Sequence, residues 1–165
     1  MLIDTHAHLD YPDFANDLPA ILEAARTAGV TRIITIGTGV ESSRRAVALA
    51  EKFENIHAVV GLHPTNVDDE KGDWLTEIRA LAAHPKVAAI GETGLDYHRL
   101  PSEKLSSAPA ISALQAEMAQ DAEAAIIDGA YKSAQAEAFA AQLDLAAELG
   151  LNVVIHQRDA WDDTL

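Results

Sequence analysis

Apolar residues recur along this chain in two alternating rhythms. Short runs rich in β-branched residues are separated by longer stretches in which apolar positions fall three or four apart. The first rhythm predicts buried strands, the second helices with one apolar face. Residues 2–5 read as a buried strand, and Thr31–Ile36, Ile56–Val60, Val87–Ile90 and Leu151–Ile155 read as four more. Asn16 or Asp17 caps a helix running to about Ala28, with Pro19 in its first turn and Gly29 as its stop. Further helices are predicted from Ser42 to Phe53 and from Trp74 to Ala83, where Trp74, Ile78 and Leu81 share a face. Another spans Ala134 to Leu149, with Phe139, Leu143, Ala146 and Leu149 on its packed side.

Over the first four strands, successive centres lie roughly 24 to 31 residues apart, the length of one unit of a (β/α)8 barrel. A doubly wound open sheet gives a similar rhythm, so periodicity alone leaves both architectures open. The placement of candidate ligands favours the barrel. His6 and His8, His63, Glu92 and His156 all fall at the carboxyl end of a predicted strand, the face on which barrels carry catalytic groups.

The chemistry of those residues is coherent. In extended backbone, positions i and i+2 share a face, so His6 and His8 present two imidazoles side by side. Asp4 shares their parity and is read as an acceptor that fixes a ring tautomer. Imidazoles and a carboxylate suit Zn, Mn, Fe or Mg-like ions. Glu92, flanked by glycines, is placed to project its carboxylate and bridge two cations, an arrangement that clamps a phosphoryl group. Arg158 is positioned either to meet a phosphate oxygen or to pair with Asp159 or Asp162. His57, inside a strand, and His84, before Pro85, read as structural or solvated, and His98 stays open between site and surface.

Composition narrows the class. The 165 residues are 48% hydrophobic, enough for one domain spanning 1–165 with a real core. The absence of cysteine excludes disulfides and thiolate metal sites and fits a reducing cytoplasm. No basic leader and no apolar run of membrane-spanning length is present, so a soluble cytoplasmic protein is expected, with no membrane or obligatory protein partner. Twelve Lys and Arg stand against 26 Asp and Glu, a net charge of −14. A duplex-coating protein would show a basic face. An anionic substrate here must be held locally, by divalent cations and a few Arg or Lys.

Four segments carry a resemblance: Ile3-Asp4-Thr5-His6-Ala7-His8-Leu9-Asp10, Gly61-Leu62-His63-Pro64, Gly91-Glu92-Thr93-Gly94-Leu95-Asp96-Tyr97 and Val154-Ile155-His156-Gln157-Arg158-Asp159-Ala160. Together they resemble the TatD family of metal-dependent DNases, amidohydrolase-like barrel hydrolases. The resemblance implies two divalent ions (Mg, Mn or Zn), with His6 and His8 on one, His156 on the second and Glu92 bridging. It implies hydrolysis of phosphodiester bonds in DNA, often as an exonuclease, with His63 contacting substrate phosphate. Another amidohydrolase-like metal-dependent esterase shares the His-x-His and the barrel rhythm. An inactive fragment or scaffold that retains metal-shaped remnants is the third reading.

The chain departs from the family in two places. The distance from Tyr97 to His156 is roughly twice what one barrel unit needs, so about 102–132 is read as an insertion after strand four. It is rich in Ala, Ser, Gln and Glu and is expected to form one or two peripheral helices or a mobile loop. The chain also ends at Leu165, early in the helix after strand five. The resemblance implies three more strands with a further His and a metal-binding Asp. The expectation is therefore the first five β/α units of a barrel hydrolase, with little or no activity from these residues alone.

Overall fold

The structure, a computed structural model, describes residues 1–104 and 113–165. Its frame is a five-stranded sheet of β1 (Leu2–Ala7), β2 (Val30–Ile36), β3 (Ile56–Val60), β4 (Val87–Asp96) and β5 (Asn152–Arg158). Every neighbouring pair is parallel, and spatial order follows sequence order from β1 to β5 without a reversal. A doubly wound sheet reverses its order at a switch point, whereas a barrel winds on in one direction. The topology therefore selects the (β/α)8 type over the open sheet, with five units present.

The helices are α1 (Leu18–Thr27), α2 (Val40–Lys52), α3 (Trp74–Ala82), α4 (Ala113–Leu149) and the short α5 (Trp161–Thr164). Period-2 alternation in the strands divides the core in two. Ile33, Ile56, Ala58, Val60 and Ile90 face the helices, packing with Leu22, Ala46, Val47, Ile78 and Leu145. Ile36, Val59 and Ala89 face the other way and cluster with Ile34 and Val154, a layer drawn from four strands as in a barrel interior.

Four differences from the sequence-based expectations have physical causes. Residues 2–5, expected to be buried, form an edge strand flanked only by β2, leaving Leu2 59% and Ile3 48% exposed. β4 does not stop at Ile90 but pairs with β5 out to Asp96 and Arg158, so Glu92 and His156 sit within strands rather than after them. The glycines of Gly-Glu-Thr-Gly signal a turn in sequence, yet here they permit close strand approach. Gly91 and Gly94 have φ of +140° and +142°. A Cβ on Gly91 would lie 2.5 Å from the Val154 carbonyl oxygen, and one on Gly94 would overlap the His156 carbonyl.

The third difference concerns the insertion. Residues 105–112 lie outside the described residues, and from Ala113 the chain is helical without a break to Leu149. Residues 113–132 of that stretch and the barrel helix are thus one element of 37 residues, about 55 Å at 1.5 Å per residue. The Asp128 carboxylate accepts from the Ser102 amide (3.0 Å) and hydroxyl (2.7 Å), tying the turn at Pro101–Lys104 to this helix. The fourth is the packed face of α4. It is Gln135, Ala138, Gln142, Leu145 and Ala146, while Leu143 and Leu149 are 37% and 38% exposed. Two of the most buried positions are amides, so apolar periodicity pointed to a neighbouring face.

Gly94→Ala is expected to destabilise the chain by more than about 2 kcal/mol in urea unfolding, from the unfavourable φ and the clash with β5. Gly129→Ala, in the exposed interior of α4 with no atom near its missing Cβ, should instead stabilise by up to about 1 kcal/mol. Equal effects at the two positions would contradict the strand approach described.

Candidate metal centre

His6, His8, His63, Glu92 and His156 converge at the carboxyl ends of β1, β3, β4 and β5. Ligand atoms of His6, His8 and Glu92 all lie within 4.8 Å of one another, and so do those of His63, Glu92 and His156. Glu92 is common to both groups. Its Oε2 is 3.4 Å from His6 Nε2 and 3.8 Å from His8 Nε2, and its Oε1 is 3.0 Å from His156 Nδ1. Burial works to raise the Glu92 pKa, but the hydrogen bond from His156 and the charges of His63, His6 and His156 outweigh it and hold the carboxylate below its ordinary value.

Hydrogen bonds orient the rings. His8 Nδ1 donates to the Ile36 carbonyl at 3.0 Å, because a carbonyl can only accept. Its Nε2 lone pair is then left facing Glu92, as a metal ligand requires. Asp4, expected to fix a ring, instead accepts from the His6 backbone N–H at 3.1 Å. The carboxylate that performs ring orientation is Asp96, whose Oδ2 accepts from His156 Nε2 at 2.9 Å. Asp96 shares the strand parity of Glu92, so it was findable once β4 is known to continue past Ile90.

The Thr65 backbone N–H donates to His63 Nδ1 at 3.2 Å, turning Nε2 toward His156 Nδ1 at 3.1 Å. His63 Nε2, His156 Nδ1 and Glu92 Oε1 therefore meet at one point: His156 Nδ1 and Glu92 Oε1 are a nitrogen and an oxygen donor that suit a divalent cation, while His63, with its Nδ1 accepting, carries its proton on Nε2. The hydrogen bond to Glu92, with that to Asp96, raises the His156 pKa against its burial. Burial lowers His63 to about 4, and the neighbouring His156 charge adds to the effect.

Around these groups lies a cavity of about 130 Å³, lined by His8, Tyr11, Thr38, His63, Thr65, Asn66 and Glu92. Tyr11 stacks on the His8 ring at 5.1 Å between centroids, a contact with no periodic signal in the sequence. A roomier cleft of about 550 Å³ beside Tyr97 and Trp161 holds Asp159, Asp162 and Asp163 and none of the histidines. Arg158 is exposed at the end of β5, and Asp159 pairs with His98 at 2.8 Å instead. His98 thus sits at the rim, outside both groups. His57 and His84 are also apart from them; His84 Nδ1 accepts from the Lys86 amide, and its Nε2 lies 3.3 Å from Glu51.

A ring with a folded-state pKa below its ordinary 6.5 stabilises the fold only while neutral. The His63 contribution is therefore complete above about pH 6.5 and is lost as pH falls toward 4, whereas that of His156 has the opposite sign and is lost as pH rises. Melting curves of the metal-free chain should fall in midpoint between pH 6.5 and 4, and His63→Gln should flatten that fall. An unchanged slope in the variant would remove His63 as its source.

Known proteins resemble the chain over nearly its whole length. The chain is 34% identical over 165 residues to the metal-dependent hydrolase YabD of Bacillus subtilis, covering 100% of this chain and 54% of that protein. It is 34% identical over 163 residues to the 3'-5' ssDNA/RNA exonuclease TatD of Musicola paradisiaca, covering 96% and 50%. The crystal structure of YjjV, a TatD homolog from Escherichia coli K12, superposes with a TM-score of 0.74 at 29% identity, over 99% of this chain and 53% of that one. The chain spans about half the length of the curated relatives it matches. The profile of the family described as TatD related DNase matches residues 3–165. With that match reaching from β1 through all five strands to the last residue, the chain belongs to the TatD-related DNase family.

Proposed function

We propose that this chain supplies the metal-binding half of a phosphodiesterase acting on DNA, with exonucleolytic cleavage as its reaction. The observation that carries the reading is the sharing of Glu92 between two histidine groups. One cation would be held by His6, His8 and Glu92, the other by Glu92 and His156. Bound there, such ions act as Lewis acids toward a phosphoryl oxygen and make a water more acidic.

The chain's own residues then have distinct tasks. Asp96 keeps a proton on His156 Nε2 and leaves Nδ1 for the metal. His63 stays neutral near pH 7, and with Nδ1 claimed by Thr65 its Nε2–H is a donor to a phosphoryl oxygen. Arg158 offers a second contact to the same anion. Such local handling of the substrate is consistent with a net charge of −14, because an acidic protein gains little from distributed phosphate contacts. The names of relatives as single-strand DNA and RNA exonucleases support this substrate class. A metal-bridging carboxylated lysine would favour the esterase reading, and the bridging place is held by Glu92.

Thermal unfolding in EDTA and then in excess Mn²⁺ tests the site. Cations that bind only the folded chain should raise its stability by about 2.7 kcal/mol at a hundredfold excess over Kd. His6→Ala should lose part of that gain and Glu92→Ala nearly all of it. With Mn²⁺, whatever release of nucleotides from single-stranded DNA the unsubstituted chain shows should likewise vanish in Glu92→Ala. Cation-insensitive melting would favour the remnant scaffold instead.

A further inference from the structure

We propose that Gln135 and Gln142 of α4 are positioning residues of the metal centre, each setting a different histidine. The inference rests on the reading of that centre as a cation site. The two side chains stand seven residues apart, hence on one helical face, and both are completely buried. A buried primary amide must be satisfied at both ends. Each of these does so by pairing with a backbone peptide on the carboxyl side of the sheet.

Gln142 Oε1 accepts from the Leu62 amide at 2.8 Å, and its Nε2 donates to the Leu62 carbonyl at 3.0 Å. The same Nε2 donates to Thr93 Oγ1 at 2.6 Å and lies 3.2 Å from the Ala138 carbonyl. Leu62 immediately precedes His63, and Thr93 immediately follows Glu92. Gln135 Oε1 accepts from the Asp96 amide at 2.9 Å, and its Nε2 donates to the Asp96 carbonyl at 3.0 Å. Asp96 in turn orients His156. The residue beside Gln142 is shaped for it: a Cβ on Gly61 would lie 2.6 Å from Gln142 Oε1 and 2.5 Å from the Gly91 carbonyl oxygen. One helix thus holds His63 and Glu92 through one amide and His156 through the other.

A purely structural role predicts that any loss of packing along α4 loosens the whole site alike. A positioning role predicts a crossed pattern. In EDTA, Gln142→Leu should shift and broaden the imidazole NMR signals of His63 more than those of His156, which feels the change only through Glu92 and the His63 ring. Gln135→Leu should disturb His156 more than His63, which meets the change only through its contact with the His156 ring. Each should weaken Mn²⁺ binding at least about tenfold, the usual effect of losing an outer partner of a metal ligand. Leu145→Ala, buried on the same face but bonded to neither peptide, should lower the melting temperature and leave both rings and the Mn²⁺ affinity unchanged.

If Gln142→Leu does not fold, Gln142→Met serves in its place, since its unbranched side chain has similar length and carries neither the amide acceptor nor the amide donor. Equal disturbance of both rings by each glutamine variant, or disturbance of neither, overturns the proposal. So does a matching loss of Mn²⁺ affinity in Leu145→Ala. Failure of the unsubstituted chain to bind Mn²⁺ removes the cation reading, and the ring signals recorded in EDTA still decide whether the glutamines set the histidines.

Discussion

A carboxylate placed between two pairs of imidazoles, deep at the end of a parallel sheet, is the constraint from which most of this structure follows. Burying Glu92 is costly unless positive or proton-donating groups surround it. His6 and His8 approach one oxygen and His156 the other, so β1 and β5 must bring their carboxyl-terminal portions to the level of Glu92 in β4. A parallel sheet in unbroken order provides this, because every strand delivers its carboxyl end to one rim. The close approach of β4 and β5 then requires backbone without side chains at Gly91 and Gly94.

Much of this was legible in the sequence, for reasons that particular residues make plain. β3 falls on Ile56–Val60 as read, because its run is short, apolar and ended by Gly61. His6 and His8 meet on one side because extended backbone alternates. What stayed hidden depended on contacts between distant segments. The register of β4 with β5 extends β4 by six residues beyond Ile90, and a glycine-rich stretch gives no local sign of that. Once extended, the strand carries Asp96 onto the side of Glu92. The packed face of α4 was misread because hydrophobic periodicity has no way to mark a glutamine that is buried by its bonds to peptides sixty or more positions apart in some cases, as with Leu62 and Gln142.

Electrostatics and topology divide the molecule's labour. Acidic groups dominate the surface as a whole, while the rim of the sheet concentrates nitrogen donors about one carboxylate. The edge strand β1 carries His6 and leads directly into His8, although most of its length is exposed. Its carboxyl end is nonetheless anchored to β2: Ala7 pairs with Thr35, the Thr35 hydroxyl accepts from the Leu9 amide at 3.1 Å, and the Ile36 carbonyl holds the His8 ring. The exposed strand is thus firmest where its imidazoles are needed.

The undivided α4 helix bears on how this sequence can vary over evolutionary time. Its two buried amides stand at Gln135 and Gln142, downstream of the tie between Asp128 and Ser102. Residues gained or lost upstream of Asp128 leave the helical phase of the two amides relative to one another untouched. A single deletion between Gln135 and Gln142 would rotate one amide by about 100° relative to the other and separate it from its peptide. Length polymorphism should therefore be permissive upstream and forbidden within those two turns, so that one continuous helix contains both a freely drifting and a frozen stretch of sequence.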